Sequence, residues 1–141
     1  KGRELWQDPI LPVHLLLQAL IAGAAAMLAV DAGIGLGTGV SDMAIEVLLV
    51  LLVVDILVIF LGQAVKPRIS AVAESALHEM KRGRYMKHFW YGGLVLGHVV
   101  PLLLLATGES VANVLAGVVV LIGLYLYEYA FVMAPQVVPN S

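Results

Sequence analysis

Four apolar runs of about twenty residues each, falling at about 10–30, 43–64, 88–106 and 111–133, leave this chain few ways to fold. At roughly 1.5 Å per residue each run spans a hydrocarbon core about 30 Å thick. A backbone crossing that core must satisfy its own hydrogen bonds, which makes each run a helix. The composition agrees: 61% hydrophobic and 13% charged residues over 141 positions, with a mean hydropathy of +0.97, is too apolar for a soluble domain of this length. The expected fold is all-α: a polytopic membrane protein, a four-helix transmembrane bundle with one short amphipathic surface helix.

Charge sets the orientation. Six of the eight Lys and Arg residues lie between Lys66 and Lys87, and the other two are Lys1 and Arg3. Two crossings separate these places, so they share one side, and basic loops stay in the cytoplasm. Both ends of the segment and the central loop are therefore expected to be cytoplasmic. The net charge of −2 reflects segregated charge and gives no reason to expect nucleic acid. With no Cys, neither a disulfide nor a thiolate-held iron–sulfur cluster can form within the chain, so any cluster belongs to a partner. The chain opens on Lys1 and lacks a signal pattern, so it reads as a piece of a longer polypeptide or a processed product.

Polar residues inside the runs are the candidates for function. His14 and Gln18 stand four apart and share one side of the first helix, while Ala19, Ala22, Gly23 and Ala26 form a small-residue face suited to close helix approach. Asp55 lies near the middle of the second run, where an unpaired carboxylate costs roughly 2.5–3.5 kcal/mol and persists only when paired, protonated or facing water. Glu46 lies one turn from that run's outer end. His98 is close to the middle of the third run, which also carries Gly93 and Gly97 in GxxxG register. The fourth run has Gly117 and Gly123 on its packing side and nears the inner face as Tyr125, Tyr127, Glu128 and Tyr129, an aromatic belt with a carboxylate in it.

The connections are read more simply. Asp31 to Asp42, DAGIGLGTGVSD, lacks the GxGxxG spacing of a nucleotide loop and reads as an outer hairpin with Ser41 or Asp42 capping the next helix. Thr107 to Ser110 is a tight outer turn with Ser110 as cap. Between the second and third runs, Ile69, Val72, Ala73, Ala76, Leu77 and Met80 recur at helical spacing, which predicts an amphipathic helix over about 69–82 on the inner surface. His78 is expected to be solvated, and Lys81, Arg82, Arg84 and Lys87 are expected to anchor to anionic lipid head groups.

Three stretches, WQDPILPVHLLLQALIAGAAA, HFWYGGLVLGHVVPLLLL and LIGLYLYEYAFVMAPQVVPNS, together resemble the carboxyl-terminal four-helix half of the NrfD family, close to the polysulfide reductase membrane subunit. The second run matches only in character, and Met133, Ala134, Pro135 and Gln136 depart from the Arg, Ala, Gly, Gln common in relatives. The resemblance implies an eight-span chain in two bundles in a prokaryotic cell membrane. It also implies an iron–sulfur electron-transfer partner, often a molybdopterin catalytic subunit, and exchange of electrons with quinone. The family's quinone pocket is usually attributed to the other bundle, so no quinone residue is assigned here.

The reading is thus a membrane anchor of a quinone-linked oxidoreductase that binds no metal itself. Two alternatives are a cytochrome b type anchor using His14 and His88 as haem ligands, and half of a repeat-built transporter. Converted to depth, His14 and Glu128 fall in the inner part, Gln18 slightly deeper, Asp55 and His98 near the centre, and Glu46 near the outer end. These six residues form a candidate proton path whose levels differ by more than one hydrogen bond, so that water must bridge them. The orientation is directly testable because the chain has no native Cys. Arg84→Cys should react with an impermeant thiol reagent only from the cytoplasmic side and Thr107→Cys only from the opposite side; the reverse pattern would invert the topology.

Overall fold

A computed structural model describes residues 3–64 and 70–139, with backbone only for 3 and 61–64. Lys1, Lys66, Arg68 and Ile69, which the sequence reading invoked, lie outside the described residues. Helix α1 (Leu11–Ile34) and helix α2 (Thr38–Ala64) are followed by the short α3 (Ala71–Lys81). The third span begins as a π-helix (His88–Val99) and ends as α4 (Val100–Leu105), and the fourth is α5 (Ser110–Met133). Single 3₁₀ turns flank the bundle at Arg3–Gln7 and Ala134–Gln136. All the regular structure among the described residues is helical, and four helices are long and apolar enough to cross a membrane. "Inner" below means the end that carries Lys81 to Lys87.

Helix α5 is the hub, packed along the third span on one side and α1 on the other. Its buried residues Ala116, Gly117, Val120, Gly123, Leu124, Tyr127 and Ala130 repeat at three and four and form one stripe. Close approach depends on two glycines in it. A Cβ on Gly117 would collide with the Ala25 carbonyl and lie 2.8 Å from the Ala29 nitrogen in α1, and one on Gly123 would run into the Gly97 backbone. Without a hydrophobic drive between helices in lipid, such backbone contact supplies the van der Waals attraction. On α1 the covered small residues are Ala24 and Ala25. The expected face of Ala19, Ala22, Gly23 and Ala26 points elsewhere: Ala19, Gly23 and Ala26 are exposed, because they lie off the stripe that Ile21, Ala25 and Leu28 turn toward α5.

Three connections differ from expectation. The outer loop between the first two spans shrinks to Gly35–Gly37, because α1 continues through Asp31 and α2 already begins at Thr38. Asp31 holds this turn by accepting the Leu36 N–H (2.8 Å) and the Ser41 hydroxyl (2.8 Å), so neither Ser41 nor Asp42 caps a helix. Gly35 (φ 59°) and Gly37 (φ 89°) make the reversal in conformations that other residues rarely adopt. At the second outer turn Glu109, not Ser110, takes the cap position, and Thr107 accepts the Glu109 N–H. On the inner side Ser70 caps α3 by accepting the Ala73 N–H at 3.1 Å and itself donates to Glu4. The apolar face of α3 is covered by the chain's own ends: Ala76 packs with Leu5 and Val138, and Met80 with Phe89, Tyr127 and Ala134.

The π register of the third span was not expected. The ring of Pro101 offers no N–H and crowds the carbonyl four residues earlier. A wider i→i+5 register before it relieves that clash, and the Val100 N–H accordingly bonds to Val95 O. Gly92, Gly93 and Gly97 let this wide helix sit directly on Leu126, Tyr127 and Gly123 of α5. Gly123→Ala should therefore lower stability by about 2 kcal/mol through overpacking, while Gly23→Ala, with nothing within 4 Å of the new Cβ, should be neutral. Thermal unfolding in detergent checks this, and equal melting temperatures for the two variants would count against the packing described.

Candidate functional site

The buried stripe of α2 consists of Ala44, Leu48, Leu52, Asp55 and Ile59, spaced by four, four, three and four. Asp55 is thus carried into the bundle by the same periodicity that carries its apolar neighbours, and it is 0% exposed. Glu46 is two residues from both Ala44 and Leu48, which turns it to the opposite face, where it is exposed and outside the cluster described next.

Asp55 lies between two imidazoles. Its Oδ2 is 2.9 Å from His98 Nε2 and its Oδ1 is 3.2 Å from His14 Nδ1. His14 is 7% and His98 1% exposed, so the group is shielded from lipid and bulk solvent. The expected depth gap between His14 and the shared level of Asp55 and His98 is absent; the three side chains meet directly. Two features explain the difference. Helix α2 runs from Thr38 to Ala64, starting five residues before the expected run, so Asp55 lies seventeen residues from its outer end and only nine from its inner end. In addition, the π-helix advances less per residue than the α-helix assumed for the third span, so His98 lies less deep.

The hydrogen bonds fix where one proton must be. His98 Nδ1 is 2.9 Å from the Gly93 carbonyl, which can only accept, so Nδ1 carries a hydrogen. The short contact between His98 Nε2 and Asp55 then also needs a hydrogen, held either by Nε2 against a carboxylate or by the carboxyl against a bare nitrogen. In both forms the pair is neutral overall, which is what a water-poor interior requires. His14 Nδ1 lies within ion-pair distance of the other carboxyl oxygen but out of line for a hydrogen bond, and both Asp55 Oδ1 and His14 Nε2 are buried with no hydrogen-bond partner. That nitrogen is where a further proton would add. On the far side the Gly93 carbonyl cannot pass a proton on, so His98 closes the group in that direction unless its ring turns.

His14 lines a cavity at the inner end of the bundle, walled by Leu5, Ile10, Val58 and Phe131 and bordered by Glu4, Glu79 and Arg82. Gln18 is buried and faces Glu128, whose half-buried carboxyl also feels the charges of His14 and Asp55. Five of the six proposed path residues thus lie in one region, and Glu46 does not. Tyr127, read from the sequence as part of an aromatic belt, is fully buried and lies against His14 with ring centroids 5.4 Å apart. Its place four residues after Gly123, on the α5 packing stripe, was the signal. His88 lines a different surface groove and packs against Tyr129, so the two histidines proposed as haem ligands share no cavity.

Of the expected lipid anchors, Arg82, Arg84 and Lys87 are exposed and Lys81 is half-buried; the Lys81 carbonyl accepts from Trp90 Nε1 at 3.0 Å. His78 is exposed on α3. Breaking the central group should be costly. Asp55→Ala leaves two buried imidazoles without their carboxylate and should lose about 3–5 kcal/mol. In a double-mutant cycle with His98→Ala the losses should miss additivity by about 1–3 kcal/mol. Unfolding measurements showing full additivity would mean that the two side chains share no bond.

Comparison with known proteins gives one match. No curated protein and no solved structure matches the chain. The family described as polysulphide reductase, NrfD, matches residues 1–140. With four membrane-length helices arranged as above, the chain is a multi-pass membrane protein that belongs to the NrfD (polysulphide reductase) family.

Proposed function

We propose that this chain is the part of a quinone-linked respiratory oxidoreductase anchor that handles protons, while electrons pass between quinone and an iron–sulfur partner subunit. The observation that supports this most is the Asp55 carboxyl, wholly buried and touching His14 and His98 at once. A purely structural helix bundle in lipid gains nothing from three titratable groups in its interior that it could not gain from apolar packing. Quinone reduction consumes protons and quinol oxidation releases them, and groups that hold an exchangeable proton next to a cavity suit that need. In this reading a proton arrives from the inner cavity at His14 Nε2, one leaves Nδ1 for Asp55, and the charge is shared with His98. Gln18 and Glu128 extend the polar surface beside His14.

The family and the composition support a proposal for the rest of the assembly. This stretch of chain has no Cys and offers no thiolate ligand, and the clusters are proposed to be held by a partner subunit, with a molybdopterin catalytic subunit beyond it. The quinone site is proposed to be shared with a second four-helix bundle of the same longer chain, in a prokaryotic cell membrane with the inner end cytoplasmic.

Asp55→Asn separates chemistry from structure. The Asn amide can still donate to His98 Nε2 and its carbonyl can still face His14, so assembly should survive, yet no proton can be carried. Quinone-linked turnover of the purified complex should fall by about a hundredfold, with the iron–sulfur subunit still co-purifying in mild detergent. Unchanged turnover and proton uptake would leave the cluster a structural one.

A further inference from the structure

On the face of the third span turned away from the Asp55 cluster, Lys87, His88, Tyr91, Gly92, Val95, Leu96 and Leu126 line a shallow groove of about 350 Å³. We propose that this groove binds one anionic phospholipid, with its phosphate at Lys87 and an acyl chain along Val95, Leu96 and Leu126. The i→i+5 bonding of the π-helix stacks residues four and five apart, so Lys87, Tyr91, Gly92, Val95 and Leu96 follow one line along the helix. The result is a straight furrow against α5. Gly92 forms part of its floor, buried in close contact with α5, where a Cβ would come within 2.7 Å of Leu126.

Polarity along the furrow matches a phospholipid. Its inner end carries the exposed Lys87, which has no carboxylate partner among the described residues, and its deeper part is wholly apolar. Tyr91, which lines the groove next to Lys87, is 66% exposed, and an aromatic ring with a polar tip suits the level where head groups meet hydrocarbon. A protein helix seated here would have to match an unpaired cation at one end. A phosphodiester does so with its own charge and leaves the lysine at the interface. Arg82 and Arg84 are equally exposed but do not line the groove. The four-residue basic patch therefore resolves into one site residue, Lys87, and general surface charge.

The test is native mass spectrometry of the complex released from nanodiscs of equal phosphatidylglycerol and phosphatidylcholine. One phosphatidylglycerol should remain in preference to phosphatidylcholine, and Lys87→Gln should weaken its retention about fivefold. Val95→Trp, which fills the furrow without touching charge, should displace the same lipid, whereas Arg84→Gln should have no effect. Equal retention of both lipids would overturn the proposal. So would a loss as large in Arg84→Gln as in Lys87→Gln, or full retention in Val95→Trp. A photo-crosslinker at Val95 should capture lipid in the native membrane; capture of a protein chain instead would show the groove to be a helix interface.

Discussion

A carboxyl group held away from water and lipid between two imidazoles is the constraint to which the rest of this bundle answers. Alone, Asp55 would oppose insertion by roughly 2.5–3.5 kcal/mol. With His98 Nε2 at 2.9 Å and His14 Nδ1 at 3.2 Å the charge is shared, and the bond to the Gly93 carbonyl orients the His98 ring. Three spans must therefore meet at one level, and the fourth must close over them.

The small residues make that closure possible. Gly97 and Gly123 put the backbones of the third and fourth spans in contact, Gly117 does the same for the fourth and first, and the ring of Tyr127 reaches His14. The π-helix belongs to the same solution, because its wide turn puts Gly93 O within reach of His98 Nδ1 and lowers His98 toward the inner side. Among the described residues the fully buried side chains outward of the cluster, Ile21, Leu28, Leu48, Leu52 and Val120, are apolar. The polar cluster thus communicates with the inner cavity and not with the outer surface. A path running through the whole thickness by way of Glu46 is not what the side chains form.

Much of this was legible in the sequence. Four spans, the amphipathic helix before the third span, the inward side of His14 and Gln18, and the packing role of Gly117 and Gly123 follow from length and spacing. Asp55 and His98 stand out because titratable groups are rare at such positions. What could not be read depends on register. The sequence does not announce a π-helix, so depth counted at an α-helical rise put His98 too far from His14. Tyr127 was hidden among Tyr125 and Tyr129, which do face outward, and only its spacing from Gly123 sets it apart. Asp31 and the glycines after it looked like loop because glycine is common in loops, yet the Asp31 side chain extends order through them.

The role of the site depends on one shared proton in the Asp55–His98 bond with the second ring nitrogen of His98 tied to Gly93. Nitrogen-15 NMR of histidine-labelled protein in lipid, with His98 assigned by loss of its signals in His98→Gln, reads this directly. At neutral pH His98 Nδ1 should be protonated and strongly hydrogen-bonded, with Nε2 coupled to the carboxyl proton. A neutral His98 protonated only at Nε2, with Nδ1 bare, would contradict the arrangement and with it the proton-holding role of the site.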